Sequence, residues 1–254
     1  MTAVLSPWRW WHGLKRAWLL YHLGDPAFRF MFEPPPDNEW VSLDCETTGL
    51  NVRSDEIISI GAVRIVGNRI MTSERLELLV RPERGVSADS VRIHRLRERD
   101  VAQGLPIDEA MKRLMHFIGS RPLVGYYLEF DVAMLNRAIW PILGQGLPQP
   151  KIEVSALYYD YKFRQLPAYQ QQDNAQIDLR FATLMSDLNL PLRDAHDALN
   201  DAVMAALPCD AYIGAAAVAD FTPLVIASNK LKKQPGQDTL LLELVKTRDI
   251  LAEV

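Results

Sequence analysis

The chain has 254 residues, of which 48% are hydrophobic and 24% are charged, and its formal net charge is -4. This composition excludes a disordered or fibrous protein, and the slightly acidic balance gives no overall attraction to phosphate, so nucleic-acid binding would require a local basic surface. The two cysteines, Cys45 and Cys209, are too few for a disulfide scaffold and lack zinc-ligand spacing, which favours a reducing cytoplasmic location. We expect no stable membrane insertion, because no apolar run approaches ~18 residues, and no signal peptide, because the N-terminus lacks an apolar core and a small-residue cleavage site.

Residues 1–36 are expected to form an appendage, a basic amphipathic helix followed by a proline-rich connector that ends at Pro34–Pro36. Helical spacing over residues 8–22 predicts one aromatic stripe of Trp11, Leu14, Trp18 and Tyr21. The helix could lie on a membrane surface or on a partner. Folding back onto the core is favoured, because aromatic stripes at this spacing usually face a core.

Three strands are predicted next, at residues 40–46, Glu56–Val66 and Arg69–Val80. Gly67-Asn68 is typical of a hairpin turn between the second and the third. The following stretch, Pro82–Gln103, is rich in arginine and is expected to be a loop-rich basic surface.

The first predicted strand carries two acids one residue apart, Asp44 and Glu46. Because side chains alternate along a strand, both acids share one face with Ser42, and Cys45 points to the opposite, apolar face. Two such carboxylates repel each other when buried, so a hard divalent cation is their natural partner. A solvent-facing edge strand is the alternative.

Helical periodicity predicts a helix from Pro106 to Gly119, followed by a short buried strand at Leu123–Gly125. A second helix follows with Asp131 in its first turn, where the helix dipole favours a carboxylate. Taken alone, Asp131 is an ordinary first-turn acid.

The remaining chain predicts a loop over Tyr158–Gln172 and helices at Asp178–Leu188 and Leu192–Leu207. Asp194 is the candidate N-cap of the last helix, and Pro208 ends or kinks it. Beyond Cys209 a helix could continue over Ala215–Ala219, and an apolar final helix is expected at Leu240–Ala252.

Strands followed by alternating helices and strands predict an α/β fold, with a mixed sheet flanked by helices. Separate elements of this fold supply the acidic residues. Two come from the first strand, one from the start of a helix, and one, Asp201, from a late helix, with His196 five residues before it.

The combination resembles the DnaQ-like (DEDDh) 3'-to-5' exonucleases, a branch of the ribonuclease H-like fold, over residues 40–207. The three motifs are Asp44–Gly49, Gly125–Asp131 and His196–Asp201, and His94 falls where the family has a loop histidine. Tyr126-Tyr127 is a departure, because many members carry His-Asn there, and it alters polar contacts to the substrate.

The resemblance implies an exonuclease domain at residues 37–208, with helical appendages at 1–36 and 209–254. It implies two divalent metal ions, Mg²⁺ or Mn²⁺, bound by Asp44, Glu46, Asp131 and Asp201. His196 would be the general base, because an imidazole titrates near neutral pH.

The resemblance also implies substrate contacts from Thr47, Leu50, His94 and Tyr127. Lys162, Arg95, Arg97 and Arg164 are candidates to track a phosphate backbone, and Tyr126, Tyr158 and Tyr159 are candidates to stack on bases.

The implied activity is metal-dependent hydrolysis at the 3' end of single-stranded DNA or RNA or of short oligonucleotides, releasing nucleoside 5'-monophosphates. DNA proofreading, DNA repair and RNA turnover all fit these residues. The alternative is a polymerase-associated binding module whose appendages dock a replication or repair partner. Gln237–Leu242 distantly resembles a sliding-clamp-binding peptide, although an amphipathic helix is the commoner explanation of such a pattern.

Overall fold

The structure is a computed structural model that describes residues 16–86, 88–172, 175–191, 197–217, 221–223 and 244–246. It separates into two compact units, Met1–Cys209 and Asp210–Val254. None of the helices in the described ranges combines the length and apolarity needed to span a bilayer.

A five-stranded mixed sheet forms the centre of the first unit. Its strands are β1 (Glu39–Thr47), β2 (Ile57–Val66), β3 (Arg69–Leu79), β4 (Leu123–Gly125) and β5 (Lys151–Glu153). The strand order is β3-β2-β1-β4-β5, with β1, β2 and β3 antiparallel and β4 and β5 parallel to β1. The predicted mixed sheet and hairpin are confirmed, and Gly67 in the turn has a φ of 57°, which glycine adopts without strain.

Helices cover both faces of the sheet. They are α1 (residues 16–21), α2 (Ala88–His94), α3 (Glu98–Val101), α4 (Ile107–Ile118), α5 (Leu128–Leu143), α6 (Val154–Gln165), α7 (Phe181–Asp187) and α8 (Ala198–Ala217), with 3-10 helices at Pro26–Phe32 and Ala168–Gln170.

The predicted helices around Asp131 are confirmed. Helix α4 begins after Pro106 and ends at Gly119, whose φ is 59°, and Asp131 lies in the first turn of α5. Both helices pack on the β1 face that carries Leu43 and Cys45, and together they form the main hydrophobic core. The opposite β1 face, with Ser42, is therefore left for another helix.

Two segments predicted as loops contain helices. Residues 82–103 include α2 and α3, and residues 158–165 belong to α6, so both loop predictions are wrong at these positions. Helix α6 has little amphipathic periodicity, which is why the sequence did not reveal it. Tertiary contacts stabilise it instead, since Tyr158 is buried and its hydroxyl donates to Asp187 Oδ2 at 2.8 Å.

Helix α8 begins later than predicted and continues further. The Asp197 carboxylate accepts a hydrogen bond from the backbone N–H of Asn200 at 2.9 Å, so the cap lies three residues after Asp194, which is outside the described residues. The helix continues through Pro208, so of the two predicted effects of this proline the end of the helix is wrong, and a kink stays a prediction. Helix α7 is confirmed with a start at Phe181.

The N-terminal helix folds back on the core, but with a different face from the predicted one. Trp18 and Tyr21 are 61% and 85% exposed, so their assignment to the core stripe is wrong. Leu19, Leu20 and Leu23 pack against the core instead. The leucines carry no polar atom to desolvate, whereas the indole N–H and phenol hydroxyl remain in water. Trp11 and Leu14 lie outside the described residues.

The second unit contains a short antiparallel pair of strands, β6 (Phe221–Pro223) and β7 (Leu244–Lys246). The predicted final helix at Leu240–Ala252 is therefore wrong at residues 244–246. The rest of that segment lies outside the described ranges. The whole of the clamp-like segment Gln237–Leu242 lies outside them as well.

Candidate active site

Three acidic side chains meet at the carboxyl end of β1. One carboxylate oxygen from each of Asp44, Glu46 and Asp201 lies within 4.8 Å of the others. Asp44 and Glu46 lie on the same face of β1, and Asp201 lies in the first turn of α8. Oxygen donors of this kind suit hard divalent cations such as Mg²⁺ and Mn²⁺, so the residues fit the metal site that the sequence predicts.

Two contacts define how α8 packs on the acidic face of the sheet. The buried hydroxyl of Ser42 donates to the Ala202 carbonyl at 2.7 Å. Gly61 pairs with Asp44 across the β1–β2 ladder, and a β-carbon added there would lie 2.1 Å from backbone atoms of Ala198 and Leu199. Only glycine therefore lets the start of α8 approach the sheet closely enough to bring Asp201 beside Asp44.

Asp131 approaches the cluster from the other side of β1. Its carboxylate is 5% exposed and accepts a hydrogen bond from the Cys45 backbone N–H at 3.1 Å. Strand β4 pairs with β1 only at Val41 and Ser42, so Asp131 binds the strand edge beyond the end of β4. Asp131 is outside the group of three oxygens but close enough to repel Asp44.

Burial and repulsion from neighbouring acids raise the pKa of Asp44, Glu46 and Asp131. Desolvation, with repulsion from Asp201, Asp131 and Asp197, raises the pKa of Glu46 to about 7. Desolvation raises the pKa of Asp131 to about 7, although the hydrogen bond from the Cys45 backbone N–H acts to lower it. The pKa of Asp44 is raised well above its ordinary value, by desolvation and by Asp131 and Asp201 in turn. Such a concentration of buried acids is typical of a cation site.

Metal-free protein is expected to lose stability as the pH rises from about 5 to about 8. Glu46 and Asp131 titrate near 7 in the folded state and near 4 when unfolded, so the folded state binds more protons between these values. The stability that the protonated forms of Glu46 and Asp131 provide is fully present below the pKa that these groups have in the unfolded chain. It is lost as the pH rises through their pKa in the folded protein.

Melting curves in EDTA across this pH range measure the effect, and added Mn²⁺ should restore the melting temperature at pH 8. The Glu46→Gln variant, which removes one titrating group, should show a shallower decline. An identical pH dependence in the two proteins would contradict the assignment.

Cys45 lies on the opposite face of β1, as predicted. Its side chain is 8% exposed, and burial, with the neighbouring carboxylates, raises the pKa of its thiol well above the ordinary value. A protonated, buried thiol is a poor nucleophile, so we expect Cys45 to be chemically inert.

The loop after β1 is fixed by hydrogen bonds of its own. Thr47 is 9% exposed, and its hydroxyl donates to the Gly49 carbonyl at 2.7 Å. The Thr48 hydroxyl accepts from the Glu56 N–H at 2.9 Å, and Arg137 donates to the Val52 and Asp55 carbonyls. Leu50 projects from this loop and is 85% exposed.

Tyr127 and His94 have contrasting surroundings. Tyr127 is 59% exposed and lies between the end of β4 and the start of α5. His94 is 3% exposed, and its Nδ1 accepts a hydrogen bond from the Leu96 N–H at 3.0 Å. His196 lies outside the described residues. The substrate-binding roles of Tyr127 and His94 and the general-base role of His196 stay predictions.

Several candidate nucleic-acid contacts are already engaged within the protein. Tyr158 is 4% exposed, so it is not available to stack on a base. Lys162 pairs with Asp187 at 2.7 Å, and Arg97 pairs with Asp100 at 3.4 Å. The Tyr126 hydroxyl donates to the Leu179 carbonyl at 2.7 Å.

Sequence reasoning assigned no role to four residues that shape this site: Ser42, Gly61, Glu153 and Asp197. Asp197 caps α8 and adds a further negative charge that raises the pKa of Asp44 and Glu46. Glu153 accepts hydrogen bonds from the start of α5. The signal that could have indicated a role for Ser42 is its position, because it is a polar residue on the acidic face of an otherwise apolar strand.

Comparison with known proteins agrees with the fold. The sequence model of the RNase T family, described as an exonuclease family, matches residues 41–207, about two thirds of the chain. The chain belongs to the DnaQ-like exonuclease family. A second family model, the C-terminal domain of the DNA/pantothenate metabolism flavoprotein, matches residues 190–254. That match covers about a quarter of the chain and establishes no further membership.

The relatives of this DnaQ-like exonuclease include proteins named for DNA polymerase III. It is 34% identical over 137 residues to a DNA polymerase III subunit epsilon-like protein of Rhodobacter capsulatus, covering 53% of this chain and 19% of that protein. It is 32% identical over 121 residues to the PolC-type DNA polymerase III of Thermotoga maritima, covering 48% of this chain and 9% of that protein. The chain thus spans less than a fifth of the length of either relative.

Solved structures share the fold of this exonuclease. Exonuclease I of E. coli, in complex with a dA16 oligonucleotide, aligns with a TM-score of 0.57 and 15% identity over 68% of this chain and 40% of that chain. Exonuclease X, in complex with 5' overhanging duplex DNA, aligns with a TM-score of 0.52 and 23% identity over 70% and 93% of the two chains. At these identities the likeness supports the fold alone.

Proposed function

We propose that this DnaQ-like exonuclease hydrolyses single-stranded nucleic acid or short oligonucleotides from the 3' end, with two divalent metal ions, Mg²⁺ or Mn²⁺, as cofactors. The products are nucleoside 5'-monophosphates. The observation that carries the proposal is the group of three carboxylates, from Asp44, Glu46 and Asp201, at the carboxyl end of β1 in an exonuclease fold.

Four acidic residues would hold the metal ions, the three of the group together with Asp131. When bound, the ions supply Lewis acidity that lowers the pKa of a water and offsets charge on the leaving oxygen. Because the pKa of Glu46 and of Asp131 is about 7, these side chains must lose protons before they bind a cation near neutral pH. Activity should therefore rise with pH through this range.

His196 would take the proton from the attacking water. An imidazole titrates near neutral pH, which suits a general base. Its position in the sequence, five residues before Asp201 and within the motif His196–Asp201, supports the proposal.

The substrate would enter over the carboxyl-end edge of the sheet. Strands β1 and β4 are parallel, so the loop with Leu50 and the turn with Tyr127 both leave the sheet at the edge that bears the carboxylates. Both side chains are exposed and available to contact a base. Thr47, which precedes this loop, would contribute backbone contacts to the terminal nucleotide. The dA16 complex of E. coli exonuclease I supports a single strand as the substrate.

A substrate panel tests this proposal. We expect matched single-stranded DNA, single-stranded RNA and dinucleotides, each incubated with Mg²⁺ or Mn²⁺, to give shortened products from at least one class. The EDTA-treated reaction and the Asp201→Asn variant serve as controls. Absence of shortening in all three classes would overturn the proposed activity.

A second candidate function is association with a replicative polymerase. The names of the relatives, DNA polymerase III epsilon-like protein and PolC-type polymerase III, favour this candidate. Co-elution of the full chain with a polymerase or clamp subunit would support it. If the clamp-like segment is responsible, changing Leu240 and Leu242 to alanine should abolish co-elution, and an unchanged complex would exclude that segment.

A further inference from the structure

A single carboxylate caps two helices beside the acidic cluster. Glu153 is the last residue of β5, and its Oε1 accepts hydrogen bonds from the Ser155 N–H at 3.0 Å and the Ser155 hydroxyl at 2.7 Å. The same oxygen accepts from the Tyr127 N–H at 2.9 Å, and Oε2 accepts from the Leu128 N–H at 2.8 Å. Glu153 therefore joins the start of α6 to the start of α5.

The start of α5 has no side-chain cap of its own and depends on this contact. Tyr127, at the N-cap position, has a left-handed backbone with φ 53° and ψ 35°, and its side chain makes no capping hydrogen bond. A left-handed conformation is unfavourable for a non-glycine residue. The two N–H groups that Glu153 accepts belong to the set that a helix N-terminus leaves without intrahelical partners.

The residue placed by this turn is Asp131. It lies three residues after Leu128, so the backbone that Glu153 holds is the backbone that carries the Asp131 carboxylate. Asp131 must satisfy two demands, since its Oδ1 already accepts the Cys45 N–H and its remaining lone pairs would face a metal ion. A small rotation of the first turn of α5 would break one of these contacts.

We infer that Glu153 is a positioning residue for the metal site, because its bidentate hold on the Tyr127 and Leu128 amides sets the orientation of Asp131. The inference rests on the proposed function, in which Asp131 is a metal ligand. Glu153 itself does not touch the metal or the substrate. Partners that orient metal ligands typically contribute about 10–100-fold to metal affinity or activity.

The Glu153→Gln variant tests the inference. The glutamine side chain keeps one acceptor oxygen. Its NH2 group replaces the other oxygen and cannot accept a hydrogen bond from a backbone N–H, so one of the two contacts to α5 is lost. The Glu129→Gln variant is the matched control, because it removes the same charge from an exposed residue in the first turn of α5. Binding of Mn²⁺ to the substrate-free proteins, measured by electron paramagnetic resonance, is the primary readout.

We expect Glu153→Gln to weaken Mn²⁺ binding by about 10-fold or more and to lower kcat at saturating metal, with KM for the oligonucleotide within about twofold. Glu129→Gln should match the unaltered protein. Mn²⁺ binding by folded Glu153→Gln equal to that of Glu129→Gln, whatever its melting temperature, would overturn the inference and leave Glu153 as a helix cap.

If Glu153→Gln fails to fold, Glu153→Asp decides the matter, because it keeps both oxygens and the charge but shortens their reach. Weakened Mn²⁺ binding in that variant supports the positioning role, and binding equal to that of Glu129→Gln overturns it. A failure of the proposed function would give a different result, because the unaltered protein itself would then shorten no oligonucleotide.

Discussion

Asp44→Asn is expected to lower the rate of hydrolysis by about a thousandfold and, at the same time, to raise the melting temperature of the metal-free protein at pH 8. The loss of rate corresponds to ~4 kcal/mol of transition-state stabilisation. It follows because the amide keeps the shape of Asp44 but cannot balance the charge of a divalent cation.

The gain in stability has an electrostatic cause. The pKa of Asp44 is raised well above its ordinary value by desolvation and by repulsion from Asp131, Asp201, Glu46 and Asp197, so its ionised form is unfavourable in the metal-free fold. Removing the charge relieves that repulsion. Such a trade between stability and activity is common at functional sites.

Rates on a labelled oligonucleotide and melting curves in EDTA measure both effects. Asp108→Asn is a suitable control, because Asp108 is an exposed first-turn acid of α4 that pairs with Lys112 at 3.9 Å. Full activity in the Asp44→Asn protein would show that another site, or a contaminating nuclease, carries the hydrolysis.

Gly61→Ala is expected to destabilise the protein by about 1–3 kcal/mol and to abolish most of the activity of the molecules that remain folded. The added β-carbon would lie 2.1 Å from backbone atoms of Ala198 and Leu199, and backbone cannot rotate away as a side chain can. Helix α8 must then move off the sheet and take Asp201 away from Asp44 and Glu46.

Gly67→Ala provides the matched control for this substitution. Gly67 lies in the turn after the same strand, has a φ of 57°, and has open space around it. Alanine there should cost about 1 kcal/mol through backbone strain but leave hydrolysis unchanged. Denaturant unfolding and rate measurements on both variants separate strain from displacement of α8. Full activity in Gly61→Ala would contradict the role of this close approach.

The central parts of the fold were predictable from the sequence because their signals are local. Alternation in β1, the Gly67-Asn68 turn, and the periodicity of α4 between Pro106 and Gly119 each depend on neighbouring residues alone. The family resemblance then predicted the acids that the structure brings together, since the spacing of several motifs carries more information than any single motif.

The parts that were missed depend on contacts between distant residues. Helix α6 lacks a periodic apolar face and depends on Tyr158, whose partner Asp187 is far away in the sequence. Gly61 looks like any glycine in an apolar run until α8 is placed against it. In α1, spacing alone could not decide whether tryptophan or leucine faces the core.

The most direct test of the central claim uses single strands blocked at one end. A strand with a blocked 5' end and a free 3' end, incubated with the unaltered protein and Mn²⁺, should yield nucleoside 5'-monophosphates and a ladder shortened from the 3' end. A strand blocked at the 3' end should resist, and Asp44→Asn should leave both strands intact. Degradation that only a 5' block prevents, or that Asp44→Asn retains, would contradict a 3'-to-5' exonuclease centred on this carboxylate cluster.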